Sequence, residues 1–215
     1  MRKLLLLSTA LLFGLACSTG DNMNFVDEPT LGGVVINGVE WARYNVNTPG
    51  TFTENPEDAG MLFQWNRHTG WKGWKAPDDD EEVEEEGVDG WNSSTPTGSS
   101  WTYANDPCPP GWRVPTLAEL SSLRNEPSTW TANWNNTGAR GRVFGTEPHQ
   151  IFLPAGGWRV NNTGVLGSGG AFGFYWSNAQ FSRRDARSLW FSSSNVFMNW
   201  NPRSNGYSVR CVARN

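Results

Sequence analysis

Val114-Pro-Thr-Leu-Ala-Glu-Leu-Ser-Ser-Leu123 carries the clearest helix signal in the chain. Thr116 and Glu119 stand at the spacing of a capping box, in which the hydroxyl accepts from the glutamate amide and the carboxylate reaches back to the threonine amide. Leu117, Leu120 and Leu123 recur at i, i+3 and i+6, so one side of the helix faces a core. Around this helix the chain reads as short strands and turns. Upstream, Val34-Val-Ile36 and Val39-Glu-Trp41 flank Asn37-Gly38, and Asn-Gly supplies the two positive-φ residues of a tight hairpin turn. Trp41, Tyr44, Phe52, Met61, Phe63 and Trp65 follow as apolar points among turn residues. Downstream, strands are expected at Arg142–Phe144, Ile151–Leu153, Ser188–Phe191 and Ser208–Ala213, separated by glycine-rich turns such as Gly167-Ser-Gly-Gly170. Thirteen tryptophans suit an irregular backbone pinned by large side chains. The fold class expected is α+β: one domain over residues 33–215, with short antiparallel strands, one or two helices and much irregular loop.

The ends of the chain speak to location. Met1-Arg-Lys3 is a short basic region, and Leu4–Leu15 is an apolar run of twelve residues. A membrane-spanning helix needs about 20, so residues 1–16 read as a secretory signal. Gly14-Leu-Ala-Cys17 resembles the cleavage site of a bacterial lipoprotein: Ala16 fits that pattern, while Gly14 stands where leucine is usual. The resemblance implies acylation at Cys17, a lipid anchor in the outer membrane and a polar tether over residues 17–32. An ordinary secretory leader cleaved nearby is the alternative. With Cys17 lipidated, Cys108 and Cys211 remain as an even pair in an oxidising compartment. Their bridge would close a loop of about a hundred residues and contribute roughly 4–5 kcal/mol by chain entropy.

Charge is unevenly distributed. Asp78–Glu86 carries eight acids in nine residues, and such a run stays solvated; residues 77–90 are therefore expected to be a disordered acidic insert. The 21 acidic residues outnumber the 17 basic ones overall, but without the run and the two leader cations the body is at +2. That bias is too weak to suggest a nucleic-acid partner. Calcium binding by the run is the alternative to a solvated face, yet alternating ligands with a glycine turn are absent.

The C-terminal segment has a composition of its own. Arg183 to Asn215 holds six arginines, one acid and no lysine, with Trp190, Phe191, Phe197, Trp200 and Tyr207 interleaved with asparagines. Rigid aromatics give contact area at small entropic cost, and Asn and Ser give adaptable hydrogen bonds, as in antibody paratopes. Residues 175–205 are the candidate binding segment, with Gln180, Phe181, Arg183, Arg184, Asp185, Arg187, Trp190, Phe197, Asn199, Trp200, Asn201 and Arg203 as ligand contacts. Leu189, Phe191 and Val196 supply the core positions, so period-2 alternation places Trp190 on the opposite face, and Phe197 alternates likewise with Val196 and Met198. Trp200, in Asn199-Trp-Asn-Pro202, reads as part of a turn-rich stretch. The alternative is that these aromatics are core and that Arg183, Arg184 and Arg187 belong to a solvated loop. Arg210 alternates with Val209 and Cys211 and reads as structural.

Gly38-Val-Glu-Trp-Ala42, Asn105-Asp-Pro-Cys-Pro109, Gly111-Trp-Arg-Val-Pro-Thr116, Leu153-Pro-Ala155 with Gly157-Trp-Arg159, Tyr175-Trp-Ser177 and Ser208-Val-Arg-Cys-Val212 together resemble the Fibrobacter succinogenes major paralogous domain family, from about residue 33 onward. The resemblance implies a surface lipoprotein with a C-type lectin-like fold, in which a disulfide joins the region of the first helix to the last strand, matching Cys108 and Cys211. The C-terminus further resembles the variable region of proteins diversified by retroelements that mutate adenines. On that resemblance Asn178, Asn195, Asn199, Asn201 and Asn205 are unaltered or fixed positions. Gln180, Phe181, Arg183, Arg184, Asp185, Arg187, Trp190, Phe197, Trp200 and Pro202 are the altered ones.

Other function classes have less to stand on. Glu147-Pro-His149 and Trp200-Asn-Pro202 match only pieces of the calcium-lectin signatures, and no carboxylate follows Trp200, whereas a hard cation wants six to eight oxygens. Two histidines, His68 and His149, lie in no metal or nucleophile motif, and no HExxH, GxSxG or P-loop occurs. No enzyme, metal or cofactor is expected. The expected function is an adhesin or receptor whose C-terminal face binds a protein or glycan on another cell, a phage or a host surface. It acts alone or within a pilus or fibre assembly. The alternative is a fixed-specificity glycan binder or a structural part of a surface fibre or envelope complex.

Overall fold

The computed structural model describes residues 32–75 and 87–214. The leader, Cys17, the tether up to residue 31 and the acidic run of 78–86 lie outside the described residues. In chain order the strands and helix are β1 (Val34–Ile36), β2 (Val39–Asn45), β3 (Met61–Gln64), β4 (Gly70–Lys72), β5 (Trp112–Arg113), α1 (Leu117–Arg124), β6 (Ser128–Thr131), β7 (Gly141–Thr146), β8 (His149–Pro154), β9 (Trp158–Arg159), β10 (Leu166–Gly167), β11 (Gly173–Gln180), β12 (Asp185–Phe191), β13 (Val196–Pro202), β14 (Gly206–Tyr207) and β15 (Arg210–Ala213). They form four small antiparallel sheets, ordered β1-β2-β15-β5, β10-β9-β14-β3-β4, β11-β12-β13 and β6-β7-β8. Among the described residues α1 is the one α-helix, and those residues are mostly antiparallel β with much loop.

Local chemistry explains the first elements. Asn37 and Gly38 take φ of 52° and 75°, and β1 folds back on β2 with Ile36 opposite Val39 and Val34 opposite Trp41. Thr116 caps α1 with both halves of the capping box in place. Leu120 and Leu123 are buried, whereas Leu117, in the first turn, is only partly covered. Arg113 on β5 donates to both carboxylate oxygens of Glu119, at 2.8 and 2.6 Å, and fastens the helix start to the sheet. Cys108 is bonded to Cys211, which ties the loop before β5 to the last strand.

The sheet β11-β12-β13 organises the core because it is covered on both faces. Tyr175, Leu189 and Phe191 pack with Leu120, Leu123, Phe144 and Trp41 on one side. Phe174, Trp176 and Ala186 pack with Phe63, Trp65, Tyr207 and Cys211 on the other. A strand buried on both faces reads as a continuous apolar run rather than an alternating one, and β11 begins Gly-Phe-Tyr-Trp-Ser with all five residues buried. Arg210 sits fully buried between the layers, donating to Asn45 Oδ1 at 2.9 Å, the Ala42 carbonyl at 3.1 Å and the Phe152 carbonyl at 3.0 Å. Burial pushes its guanidinium down to about 10, and the nearby Tyr175 opposes that shift.

Candidate functional site

The candidate face is carried by the β12–β13 hairpin and by the turn 181–184 that leads into β12. Register decides what each strand presents. Arg187 lies opposite Trp200, Ser188 opposite Asn199, Leu189 opposite Met198 and Trp190 opposite Phe197. Successive residues point to opposite faces of a strand, so the sequence-selected aromatics divide between two surfaces. Trp190 and Phe197 share one; Arg187 and Trp200 share the other.

On the first surface Trp190 is stacked between two rings. Phe197 lies 5.5 Å away at 6° between planes and Phe172 lies 5.6 Å away at 26°. Both of its faces are taken, so only its edge is left for a ligand. Phe197 ends this row with 48 % of its surface exposed. Asn199 and Asn201 lie on the same side: the Ser188 hydroxyl donates to Asn201 Oδ1 at 3.0 Å, and the Trp200 amide donates to Asn199 Oδ1 at 2.9 Å.

On the second surface Phe181 and Trp200 stack at 4.8 Å with 30° between planes. The Arg187 guanidinium lies 4.3 Å from the Phe181 centroid and 5.6 Å from that of Trp200. A cation over aromatic faces is attracted by their quadrupoles, so Arg187 holds the two rings together. Phe181 and Trp200 remain 45 % and 50 % exposed, which leaves a platform open to solvent. Trp200 corrects the turn reading of Asn199–Pro202. The stretch is strand, because seven consecutive residues of β13 pair with β12.

The turn before β12 is knotted by Ser182. Its hydroxyl donates to Asp185 Oδ2 at 2.9 Å and accepts from the amides of Arg184 and Asp185 at 3.1 and 3.0 Å. The amides of Phe181 and Ser182 both donate to the Asp185 carbonyl, at 2.9 and 3.0 Å. Asp185 therefore has its carboxylate engaged within the turn. Gln180, Arg183 and Arg184 are exposed and line a cleft of about 580 Å³, together with Thr95, Pro96, Thr97, Gly98 and Arg203.

Arg203 touches the same cleft from within. Expected among the ligand contacts, it is 2 % exposed and works as an internal clamp. Its Nη1 donates to the carbonyls of Pro96 and Gly98 at 3.3 and 2.8 Å. Its Nη2 donates to Gln180 Oε1 and the Ser182 carbonyl at 2.8 and 2.5 Å, and its Nε reaches the Asp185 carbonyl at 3.3 Å. The guanidinium also lies 4.4 Å from the Trp65 ring centroid. Burial lowers its pKa from the ordinary arginine value, with the Asp185 charge opposing. The physical reason is geometric: the planar fork can bond several carbonyls at once, and the 95–98 loop and the 181–185 turn offer them.

Sequence reasoning missed the second wall of the cleft, Thr95–Gly98. This loop is held by remote side chains: Asn66 Nδ2 donates to the Thr97 carbonyl at 2.9 Å, Arg67 Nη2 to the Ser94 carbonyl at 2.9 Å, and Gln64 Nε2 to the Asn92 carbonyl at 2.8 Å. Nothing local to Thr95–Gly98 marks it in the sequence, because the side chains that hold it lie 27 to 31 residues away along the chain. Of the two calcium-lectin fragments, Glu147–His149 lies at the β7–β8 hairpin and Trp200–Pro202 lies in β13, in different sheets. Compared with protein families, with curated proteins and with solved structures, the chain matches none.

Proposed function

We propose that this protein is a cell-surface lipoprotein with a C-type lectin-like domain, anchored at Cys17 in the outer membrane. It acts as an adhesin or receptor and engages a protein or glycan through its C-terminal face. The observation that carries the reading is three half-exposed aromatics: Phe181, from the turn before β12, and Trp200, from β13, form one open platform, and Phe197 stands on the other face of the β12–β13 hairpin, whose inner residues are buried against two cores. Large apolar side chains held open to water on a rigid support are what a binding surface needs, because little entropy is lost when a ligand covers them. Trp and Arg are the types enriched at binding hot spots. The disulfide and the clamp at Arg203 support the same role by holding the loops in one shape.

The proposal includes diversification of this face. Gln180 ends β11, Phe181, Arg183 and Arg184 lie in the turn, and Arg187, Phe197 and Trp200 lie on β12 and β13, where replacement leaves the buried residues of the sheet in place. The fixed-specificity alternative requires those same positions to be invariant.

The first test is a screen of saccharides and surface proteins with the native protein and with Phe181→Ala, Phe197→Ala, Trp200→Ala and Arg184→Ala. Ligands should be found whose affinity drops at least tenfold in one or more variants. Binding indifferent to all four would overturn the reading. Sequencing the end of the gene across one culture separates the two specificities: adenine-confined substitutions at Phe197, Trp200 and Arg183 that spare Val209 and Cys211 mark a diversified face. Cys17→Ser should release the protein from the membrane fraction, and retention there would remove the lipid anchor from the proposal.

A further inference from the structure

The cleft between Thr95–Gly98 and Gln180–Arg184 is lined by three arginines and no acid. Arg203 forms its base, and all of its bonds go to neutral oxygens. Arg183 and Arg184 have no hydrogen-bond or ion-pair partner for their side chains among the described residues. The nearest carboxylate in the turn, Asp185, is already bonded to the Ser182 hydroxyl, and its single charge leaves the three cations in excess. A concave wall of one sign focuses potential and raises the local concentration of counter-charge. The volume, about 580 Å³, lies in the range of small-ligand sites.

We propose, building on the binding function above, that this cleft takes the anionic group of an acidic saccharide, a carboxylate or a sulfate. Arg183 and Arg184 grip the anion, while Thr95, Thr97 and Gln180 offer neutral hydrogen bonds to hydroxyls. Guanidinium forks match both oxyanions with paired hydrogen bonds. The platform of Phe181 and Trp200 selects a saccharide over an acidic peptide. Phe181 directly follows the cleft residue Gln180 and stands two and three positions before Arg183 and Arg184, and the apolar C–H face of a sugar ring lies flat on an exposed aromatic face. A peptide anchor would want an enclosed apolar pocket, and this platform is open.

The test is an array of immobilised saccharides in which each uronate-, sialate- or sulfate-bearing member stands beside its neutral parent, with polyglutamate as a peptide control. The native protein should hold acidic members at least tenfold more tightly than their parents. The double variant R183Q/R184Q should erase that difference while its melting temperature stays unchanged. Equal binding to neutral parents, a difference that persists in R183Q/R184Q, polyglutamate bound as well as the acidic sugars, or no saccharide bound at all each overturns the inference. Neutral-sugar binding that disappears in Phe181→Ala or Trp200→Ala sinks this inference alone and leaves the binding function standing. Absence of any saccharide or protein ligand sinks both.

Discussion

Replacing Arg203 with methionine removes a buried cation while nearly preserving side-chain bulk. Five hydrogen bonds are lost, of which those to Gly98, Gln180 and Ser182 are 2.8 Å or shorter and the two at 3.3 Å are weak. Bonds from a charged donor contribute about 1.5–3 kcal/mol each, so the three short ones sum to roughly 5–9 kcal/mol. Against this, removing the guanidinium relieves a desolvation penalty of several kcal/mol. The difference, with carbonyls left unpaired beside a thioether, leaves a destabilisation of about 3–5 kcal/mol. Arg203→Lys keeps the charge but not the fork, and an intermediate loss is expected. Urea unfolding followed by tryptophan fluorescence reads the loss, and amide hydrogen exchange reads where it falls. Residues 95–98 and 181–185 should lose protection first, since Arg203 joins those two segments. A loss under about 1 kcal/mol, or unchanged exchange at both segments, would refute the internal-clamp assignment and return Arg203 to the ligand-contacting surface.

Three further outcomes are expected. Reducing Cys108–Cys211, separated by 103 residues, should cost about 4–5 kcal/mol if chain entropy governs, and a urea midpoint insensitive to reductant would contradict this. Phe181→Ala and Trp200→Ala should each cost only about 1 kcal/mol, because half of each ring is already in water, whereas Trp176→Ala, fully buried, should cost about 3–5 kcal/mol; thermal melts rank them. Glu119 feels partial burial, which raises its pKa, but hydrogen bonds from Arg113 and Thr116 outweigh it and hold the carboxyl below the usual glutamate value. A depressed folded-state pKa means stability present above the unfolded value and lost as pH falls through the folded one. The stability gap between the native protein and Glu119→Gln should therefore be full at neutral pH and close below about pH 4. A gap that widens on acidification would refute the pairing.

What the sequence disclosed depended on how local the responsible chemistry is. The β1–β2 turn needs only two residues with positive φ, and Asn37-Gly38 names them. The start of α1 needs a hydroxyl and a carboxylate three apart, and Thr116 with Glu119 name it. Strand β11 gave no comparable sign. It is covered on both faces, so Gly173–Ser177 lack the alternation that marks a strand. Strand β13 was obscured from the other side: Asn199, Asn201 and Pro202 are turn formers by type, and pairing with β12 overrides that preference.

The arginines of the C-terminal segment make the same point about function. Composition alone gives six equivalent cations on a surface, yet the structure divides them by what their guanidinium planes meet. Arg210 could be placed from sequence because the apolar Val209 and Cys211 flank it, and it proves buried among Asn45, Ala42 and Phe152. Arg203 follows Pro202 in a turn, with no alternation to read, and its partners come from three distant or irregular segments. Arg187 is held over two rings, and Arg214 pairs with Asp106 and lies over the Tyr103 ring. That leaves Arg183 and Arg184 on the cleft, the pair whose charge is open to a ligand. A surface varied at these two positions, and at Phe181 and Trp200 beside them, changes what is bound without touching Arg203 or Arg210. Separating the arginines that hold the loops from those that face outward lets one scaffold carry many specificities.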